Sequence, residues 1–457
     1  MAPPAIGAAV NHRIGLVTEE EIRRLVALLA VPSVSAAPEH AGDVARAAEL
    51  VAEEVRRAGG SAEVRPGARH PLVVGEVPAT RGPGAAAVLI YGHYDVQPPG
   101  DLALWETPPF EPTVRGGRLL ARGACDDKGG LFMLLAAVRR LAEAGRLGVR
   151  VRVLVDGEEE SGGISAEDWI AADPELPGVR AALVFDAPML GPRRPALYVG
   201  VRGIVSLRVT VRTAAGDAHS GLYGGAALGA PAALARVLAA VGPREGRPPE
   251  PLLRGAAPLS AEERAAWEEL PPGDRVLAAA GLAPADAAAA AEFYLRTTAL
   301  PSVDVHALAC GDPGTPATVI PARATATLSL RLAPGQRGEE MAATLEALLR
   351  DAAPPGAAVE VERLGIAEPA LVDPAQPVIR LARDAIERET GWRPVPVRSG
   401  GSLPVVAALA ARGVPVVLSG FYLPGDGIHA PNEGIDLEHL DVGTRAAAAI
   451  LEALAPA

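Results

Sequence analysis

Short apolar runs of strand length recur along the chain, and chemically active side chains follow them. Three of these runs are residues 85–91, 151–155 and 182–185. Because they are predominantly apolar rather than alternating, they are typical of strands buried on both faces of a sheet. His93 follows the first run, Glu160 the second and Asp186 the third. Parallel strands place their carboxyl ends at one edge of a sheet, so these side chains are expected to gather there.

Helical periodicity separates the strand-like runs. Apolar stripes predict helices at about 41–58 and 129–144, and a capping box at Thr18 and Glu21 predicts an earlier one. Strands that alternate with helices in this way indicate an α/β layer. The same pattern returns after Pro377, with a helix to Thr390 and a strand at 394–397.

The middle of the chain follows a different pattern. Apolar and polar residues alternate over 205–211 and again over 326–332, which predicts an antiparallel sheet with one covered face. An alanine-rich region at about 226–298 is predicted to be helical, with a break at the proline-rich stretch 242–251, and its alanine block 287–291 has a helix-forming composition. We therefore predict a domain at 204–370 inserted into another that comprises 1–203 and 371–457.

Composition restricts the function. With 457 residues the chain is long enough for two or three domains. A net charge of −12 argues against nucleic acid or an anionic membrane surface as partner. No apolar run approaches ~18 residues, so no membrane span is expected. Two distant cysteines and an N-terminus without a signal-like pattern lead us to expect a reducing, cytoplasmic location.

Several polar motifs together suggest a metal site. His93 and Asp95 stand two positions apart, and Asp126 and Asp127 are adjacent before an apolar helix. Neighbouring carboxylates repel each other unless a cation lies nearby. Taken singly, His-x-Asp is more often a hydrogen-bonding pair at a strand end, and Asp-Asp more often a helix cap. The further motifs downstream, which end with His429, favour metal binding.

These motifs, in their order and spacing, resemble the M20 family of binuclear zinc peptidases, and most closely its carnosinase-like dipeptidases. The resemblance extends over nearly the whole chain. It implies an α/β catalytic domain of the phosphorylase/hydrolase-like kind, interrupted by an α+β lid domain through which such proteins form homodimers. That organisation agrees with the change of pattern after Gly203.

The resemblance also implies a ligand set for two Zn²⁺ ions per subunit, with Mn²⁺ or Co²⁺ as alternatives because the same donors serve all three. His93 matches a ligand of one metal, and Asp95 the residue that orients its ring. Asp126 matches the bridging carboxylate, which such enzymes join to the next residue by a cis peptide. The remaining matches are Glu160 as a metal ligand, Asp186 as a ligand of the other metal, and His429 as the last ligand.

The catalytic base matches one of three consecutive glutamates, Glu158 to Glu160. The run leaves the register open by one residue, and the family pattern Glu-Glu-Ser-Gly places the base at Glu159. Two bound cations lower the pKa of a shared water toward about 7, and a carboxylate can then accept its proton.

Four further matches lie outside the ligand motifs. His219 matches a histidine that reaches the partner subunit's site and stabilises the oxyanion, while Thr318, Arg331 and Ser402 match residues that hold the substrate. Other interpretations exist for three of them: His219 as a turn residue, Arg331 on a solvated strand face, and Ser402 as a helix N-cap.

We therefore expect a cytoplasmic, homodimeric two-metal hydrolase that cleaves the amide bond of dipeptides or similar small amino-acid amides. In the family, an aspartate at the position of Asp186 accompanies dipeptidase or aminopeptidase activity, whereas deacylases usually carry glutamate. An N-acyl-amino-acid or succinyl-diamino-acid deacylase remains the alternative with the same chemistry. A non-catalytic binding protein is the alternative of another class, and it would be marked by lost ligands or a lost Glu159.

Overall fold

The structure, a computed structural model, describes residues 17–82, 86–311, 314 and 317–456. The N-terminal segment used above to predict location lies outside these residues. Contacts within the chain divide the protein into two compact units. The first contains the described residues of Met1–Val199, Val372–Val397 and Ala408–Ala457, and the second those of Gly200–Leu371 and Arg398–Ala407. The predicted domain limits stay a prediction.

Twelve α-helices occur among the described residues. They are α1 Glu19–Leu29, α2 Ala41–Arg57, α3 Lys128–Glu143, α4 Ser165–Ala172, α5 Ser220–Tyr223, α6 Ala230–Val241, α7 Ala261–Glu268, α8 Gly273–Ala279, α9 Gly338–Asp351, α10 Pro377–Thr390, α11 Pro404–Ala411 and α12 Leu437–Ala453.

Eighteen strands occur in the same part of the chain. They are β1 Ser61–Arg65, β2 Leu72–Val77, β3 Ala87–His93, β4 Thr113–Arg115, β5 Arg118–Leu120, β6 Arg150–Asp156, β7 Val179–Val184, β8 Ala196–Val201, β9 Gly203–Arg212, β10 Ala218–His219, β11 Ser302–Ala309, β12 Val319–Ile320, β13 Arg323–Leu332, β14 Ala358–Ala367, β15 Ala370–Leu371, β16 Val395–Ser399, β17 Val416–Leu418 and β18 Gly434–Asp436.

The first unit is organised around a six-stranded sheet with the order β1-β2-β6-β3-β7-β17. Strands β6, β3, β7 and β17 run parallel to one another, whereas β2 is antiparallel to both of its neighbours, β1 and β6. All seven residues of β3 are buried, as its continuously apolar sequence predicts. The predicted α/β class is confirmed, and the carboxyl ends of the parallel strands meet at one edge.

Helices cover this sheet. The predicted capping box is present at the start of α1, where the Thr18 hydroxyl accepts from the Glu21 amide and the Glu21 carboxylate accepts from the Thr18 amide. Helix α3 follows Asp127 and is buried continuously from Lys128 to Val138, because it packs against both β3 and α12. The helix is therefore fixed at the edge where β3 ends.

The second unit contains a four-stranded antiparallel sheet with the order β11-β13-β9-β14. In β9 the side chains of Val205, Leu207, Val209 and Val211 are buried, and these pack with apolar residues of α6 and α9. The prediction of alternating strands with one covered face is confirmed.

The helical prediction for 226–298 is only partly correct. Helices α6, α7 and α8 are present, but the alanine block 287–291 lies in turns. The Asp286 side chain accepts a hydrogen bond from the Ala288 amide at 2.9 Å, and Arg296 pairs with the same carboxylate at 2.5 Å. An aspartate bonded to the backbone two residues ahead closes a turn and competes with helix formation.

None of the helices in the described part of the chain combines the length and apolar character needed to cross a bilayer.

A buried carboxylate fixes the loop that follows β6. Glu158 is fully buried and accepts hydrogen bonds from the backbone amides of Arg69, His70, Ile164 and Ser165 at 2.8–3.1 Å. The Ser165 hydroxyl donates a fifth bond at 2.6 Å. Burial disfavours the ionised form, but the hydrogen bonds outweigh it and lower the pKa of Glu158 below its usual value.

Glu158→Gln is expected to destabilise the fold. An amide group in place of one oxygen leaves buried donors unpaired, at about 1–3 kcal/mol each. Because the pKa of Glu158 is lowered on folding, its stabilisation is present above the ordinary glutamate pKa and is lost as pH falls through the lowered value. Urea unfolding should therefore show a difference between wild type and variant that is largest near neutral pH and narrows in acid.

Glu63→Gln is the matched control, because Glu63 belongs to the same unit but its side chain is 70% exposed. It should change the unfolding free energy by less than about 0.5 kcal/mol. Equal stability of the Glu158→Gln variant and the wild type at neutral pH would contradict the role given to this carboxylate.

Candidate metal centre

His93 is the last residue of β3 and its side chain is fully buried. Its Nδ1 lies 3.1 Å from the backbone oxygen of Asp95 and 3.3 Å from Asp95 Oδ1. Since acceptors surround Nδ1, the proton of a neutral ring lies there and the lone pair is on Nε2. That nitrogen lies 3.0 Å from Asp126 Oδ1 and 3.9 Å from Asp186 Oδ2. The ring thus presents a metal-binding nitrogen to two carboxylates.

Asp126 connects two groups of ligands. Its Oδ1 lies beside His93, whereas its Oδ2 lies 2.9 Å from Nε2 of His429. His429 Nε2 is also 3.3 Å from Glu160 Oε1. The peptide bond between Asp126 and Asp127 is cis, as the family resemblance implies. One carboxylate therefore offers a separate oxygen to each of two histidines.

The structure brings all five predicted ligands together in two overlapping triads. His93, Asp126 and Asp186 form one triad, and Asp126, Glu160 and His429 form the other. Within each triad the donor atoms lie within 4.8 Å of one another. One imidazole nitrogen and two carboxylate oxygens form a donor set that suits Zn²⁺, Mn²⁺ or Co²⁺.

The electrostatics of the cluster also fit bound cations. Burial, together with the neighbouring Asp126 and Asp127, raises the pKa of Asp186 well above its usual range. Hydrogen bonds to Asp126 and Glu160 raise the pKa of His429 to about 10. Protons therefore balance the carboxylates in the metal-free protein, and divalent cations would take their place. Glu160 Oε1 faces His429 Nε2 at 3.3 Å, so a cation bound at that nitrogen would also meet this oxygen.

Asp95 contacts both triads. Its Oδ1 faces His93, and its Oδ2 accepts hydrogen bonds from the Glu160 amide at 3.0 Å and the Ser35 hydroxyl at 2.5 Å. Gln97 donates to the other Glu160 oxygen, Oε2, at 2.9 Å. Sequence analysis missed Ser35 and Gln97, because a single serine and a single glutamine carry no spacing signal.

The three consecutive glutamates have different surroundings. The Glu158 carboxylate is fully occupied by hydrogen bonds away from the triads, whereas Glu160 lies beside His429. Burial, with a contribution from Glu160, raises the pKa of Glu159 to about 7 in the metal-free protein, while His93 opposes this shift. These positions support the register that makes Glu159 the base and Glu160 a ligand, although the roles stay a prediction.

The four predicted residues outside the ligand motifs, His219, Thr318, Arg331 and Ser402, all belong to the second unit. His219 is exposed at the end of β10, where it pairs with Val319, so that Thr318 is adjacent. Arg331 donates to the Ser402 hydroxyl at 3.2 Å. The structure thus brings together His219 with Thr318, and Arg331 with Ser402. Their roles toward a substrate stay a prediction.

Comparison with known proteins agrees with this site. The chain is 29% identical over 464 residues to cysteinylglycine-S-conjugate dipeptidase from Corynebacterium striatum, covering 95% of this chain and 96% of that protein. Human carnosine dipeptidase 1 has 25% identity and a TM-score of 0.75, covering 95% of this chain and 96% of that one. An M20 family metallo-carboxypeptidase from Sulfolobus solfataricus has 26% identity and a TM-score of 0.83, covering 96% and 99%.

The family itself is shown by its sequence pattern. Residues 89–453, which include all five predicted ligands and Glu159, match peptidase family M20/M25/M40. The resemblance inferred from the motifs is confirmed: the chain belongs to peptidase family M20/M25/M40.

Proposed function

We propose that the protein is a two-metal dipeptidase that hydrolyses the amide bond of dipeptides or similar small amino-acid amides. The observation that carries this proposal is the position of Asp126, whose two oxygens face separate triads with one imidazole each. Membership of a metallopeptidase family and similarity to two dipeptidases support it.

The five ligands would hold two divalent cations, for which we propose Zn²⁺, with Mn²⁺ or Co²⁺ as alternatives. When bound, these cations would polarise the scissile carbonyl and lower the pKa of a water molecule between them. In this proposal Asp95 keeps the His93 ring oriented through Nδ1, and so maintains the lone pair on Nε2.

Glu159 is proposed as the general base. It accepts a proton from the attacking water and then delivers that proton to the leaving amine. Burial is the main reason that the pKa of Glu159 is raised to about 7 in the metal-free protein. A general base must take up and release a proton near neutral pH, and a carboxyl group with a raised pKa is suited to this role.

The second unit is proposed to bind the substrate. Arg331, beside Ser402, provides a fixed guanidinium for the substrate carboxylate, because a guanidinium fork matches a carboxylate in geometry and charge. His219 Nδ1 accepts a hydrogen bond from the Gly221 amide at 3.0 Å. A neutral ring with that bond carries its proton on Nε2, which can donate to an oxyanion. Thr318, next to the residue that pairs with His219, is also proposed to contact the substrate.

We further propose a cytoplasmic homodimer formed through the second unit as a lid domain, with the first unit as the catalytic domain. In this dimer His219 of one copy completes the metal centre of the other copy. The exposed position of His219 supports this proposal, because an exposed imidazole is accessible to a second copy.

A paired-substrate assay tests the dipeptidase proposal against the deacylase alternative. Each dipeptide is compared with the same dipeptide acetylated at its N-terminus, alongside N-acetyl and N-succinyl amino acids. The free dipeptides should have the higher kcat/KM, and a chelator should abolish hydrolysis. Faster cleavage of the acylated compounds would favour the deacylase, and a purified protein without metal or hydrolysis would favour a binding protein.

Separate substitutions of Glu159 and Glu160 test which of the two is the base and which is the metal ligand. Glu159→Gln should keep both metals and lower kcat by about 10²–10⁴-fold, because it removes only the proton acceptor. Glu160→Gln should lose metal, because an amide replaces a charged ligand beside His429. Metal content is measured by elemental analysis, and kcat is measured on the same samples. If Glu159→Gln loses metal and Glu160→Gln keeps it, the assignment of base and ligand is wrong by one residue.

A mixed dimer tests the shared site. His219→Ala alone should keep its metals and lose about 10²–10³-fold in kcat, as when an oxyanion donor is removed. In a heterodimer of His219→Ala with Glu159→Gln, one of the two sites has both groups intact. Activity should therefore return on co-refolding, although each variant alone is nearly inactive.

The control is a heterodimer of Glu159→Gln with Glu160→Gln. Both changes lie in the metal centre of their own chain, so neither site is complete and activity should stay low. If the first heterodimer forms, as shown by two affinity tags, but remains as inactive as the control, His219 does not act across subunits.

A further inference from the structure

Glu433 is fully buried, and its carboxylate accepts hydrogen bonds from the segment that ends at Asp126. Its Oε1 accepts from the amides of Cys125 at 2.8 Å and Asp126 at 3.1 Å. Its Oε2 accepts from the Gly123 amide at 3.0 Å and from Arg122 Nη1 at 2.6 Å. Both oxygens are therefore engaged with this one segment.

We propose that Glu433 is a positioning residue of the metal centre, which holds the backbone of Asp126 so that each of its oxygens faces one triad. The inference rests on the proposed function, because it assumes that Asp126 bridges two cations. Glu433 itself belongs to neither triad, so its effect on the centre passes through the backbone of the residues that it binds.

The same residue joins the Asp126 segment to the loop of His429. Glu433 lies four positions after His429, and its backbone oxygen accepts a hydrogen bond from the Ala121 amide at 3.0 Å. Next to this contact the strands β5 and β18 pair antiparallel, beginning with Leu120 opposite Gly434. Asp126 and His429 belong to the same triad, and the segments that carry them are thus joined through one glutamate.

Arg122 balances the charge of this buried carboxylate. The Arg122 side chain is 2% exposed, and besides Glu433 it donates to the Pro98 backbone oxygen at 3.2 Å. Its guanidinium lies 5.4 Å from the centroid of the Trp105 ring. The guanidinium thus places a fixed positive charge beside the carboxylate of Glu433 and adds a fourth donor to the three backbone amides.

The proposal predicts a loss of metal affinity in Glu433→Gln. The amide nitrogen of glutamine cannot accept from the donors that now meet one of the two oxygens, so the segment 122–126 is held by fewer bonds. Loss of an outer partner of a metal ligand typically lowers affinity by about 10–100-fold. Zn²⁺ is titrated into the metal-free protein in competition with a chromogenic chelator, which measures binding without any substrate.

Glu21→Gln is the matched control. Glu21 is also buried in the first unit and also pairs with an arginine, Arg140, at 2.7 Å. It lies in α1, however, and Arg140 is near the end of α3 and outside the segment 122–126 that Glu433 binds. This variant should lower the melting temperature of the metal-free protein yet keep its zinc affinity within about twofold. The inference is overturned if Glu433→Gln binds zinc as the wild type does, or if Glu21→Gln weakens binding equally.

Arg122→Lys decides the question if Glu433→Gln does not fold. Lysine keeps the positive charge beside Glu433 but loses the guanidinium fork that also reaches Pro98, so zinc affinity should fall by about 3–10-fold. Unchanged affinity in a folded Arg122→Lys protein would overturn the inference. Failure of the wild type to bind zinc would instead contradict the proposed function, and this distinguishes the two.

Discussion

The centre depends on one carboxylate that serves two imidazoles. Asp126 faces His93 with one oxygen and His429 with the other, so three separate segments must converge within hydrogen-bond distance. The end of β3, the start of α3 and the loop before β18 satisfy this requirement. Burial of α3 and the contacts of Glu433 fix two of these segments, and the continuous burial of β3 fixes the third.

The α/β sheet supplies the remaining ligands through a simple rule of geometry. Parallel strands β6, β3 and β7 end at one edge, and Glu160 and Asp186 follow the outer two. Asp95 then joins the two triads, because its Oδ1 faces the His93 ring of one and its Oδ2 accepts a hydrogen bond from the Glu160 amide of the other. In this chain of peptidase family M20/M25/M40, the candidate metal centre is thus formed by strand ends and the loops that follow them.

Much of this arrangement could be predicted from the sequence, because burial and metal binding leave patterns in residue order. Apolar runs predict the parallel strands, and the acidic or imidazole residues after them are the candidate ligands that the structure brings together. The partners Ser35, Gln97 and Glu433 could not be found in this way, since each acts through a contact distant in sequence. The alanine block 287–291 was mistaken for helix because composition favours helix, whereas Asp286 and Arg296 close a turn.

The run Glu158–Glu160 has a consequence for how this chain can vary in length. The three side chains are identical, but their surroundings differ. Glu158 accepts five hydrogen bonds from two separate segments, 69–70 and 164–165, whereas Glu160 lies beside His429. Deleting one glutamate would leave a pair of the same composition, but the pair could not satisfy both ends at once. Insertions and deletions between β6 and α4 should therefore be rarer among related sequences than in exposed loops, even where individual substitutions are tolerated.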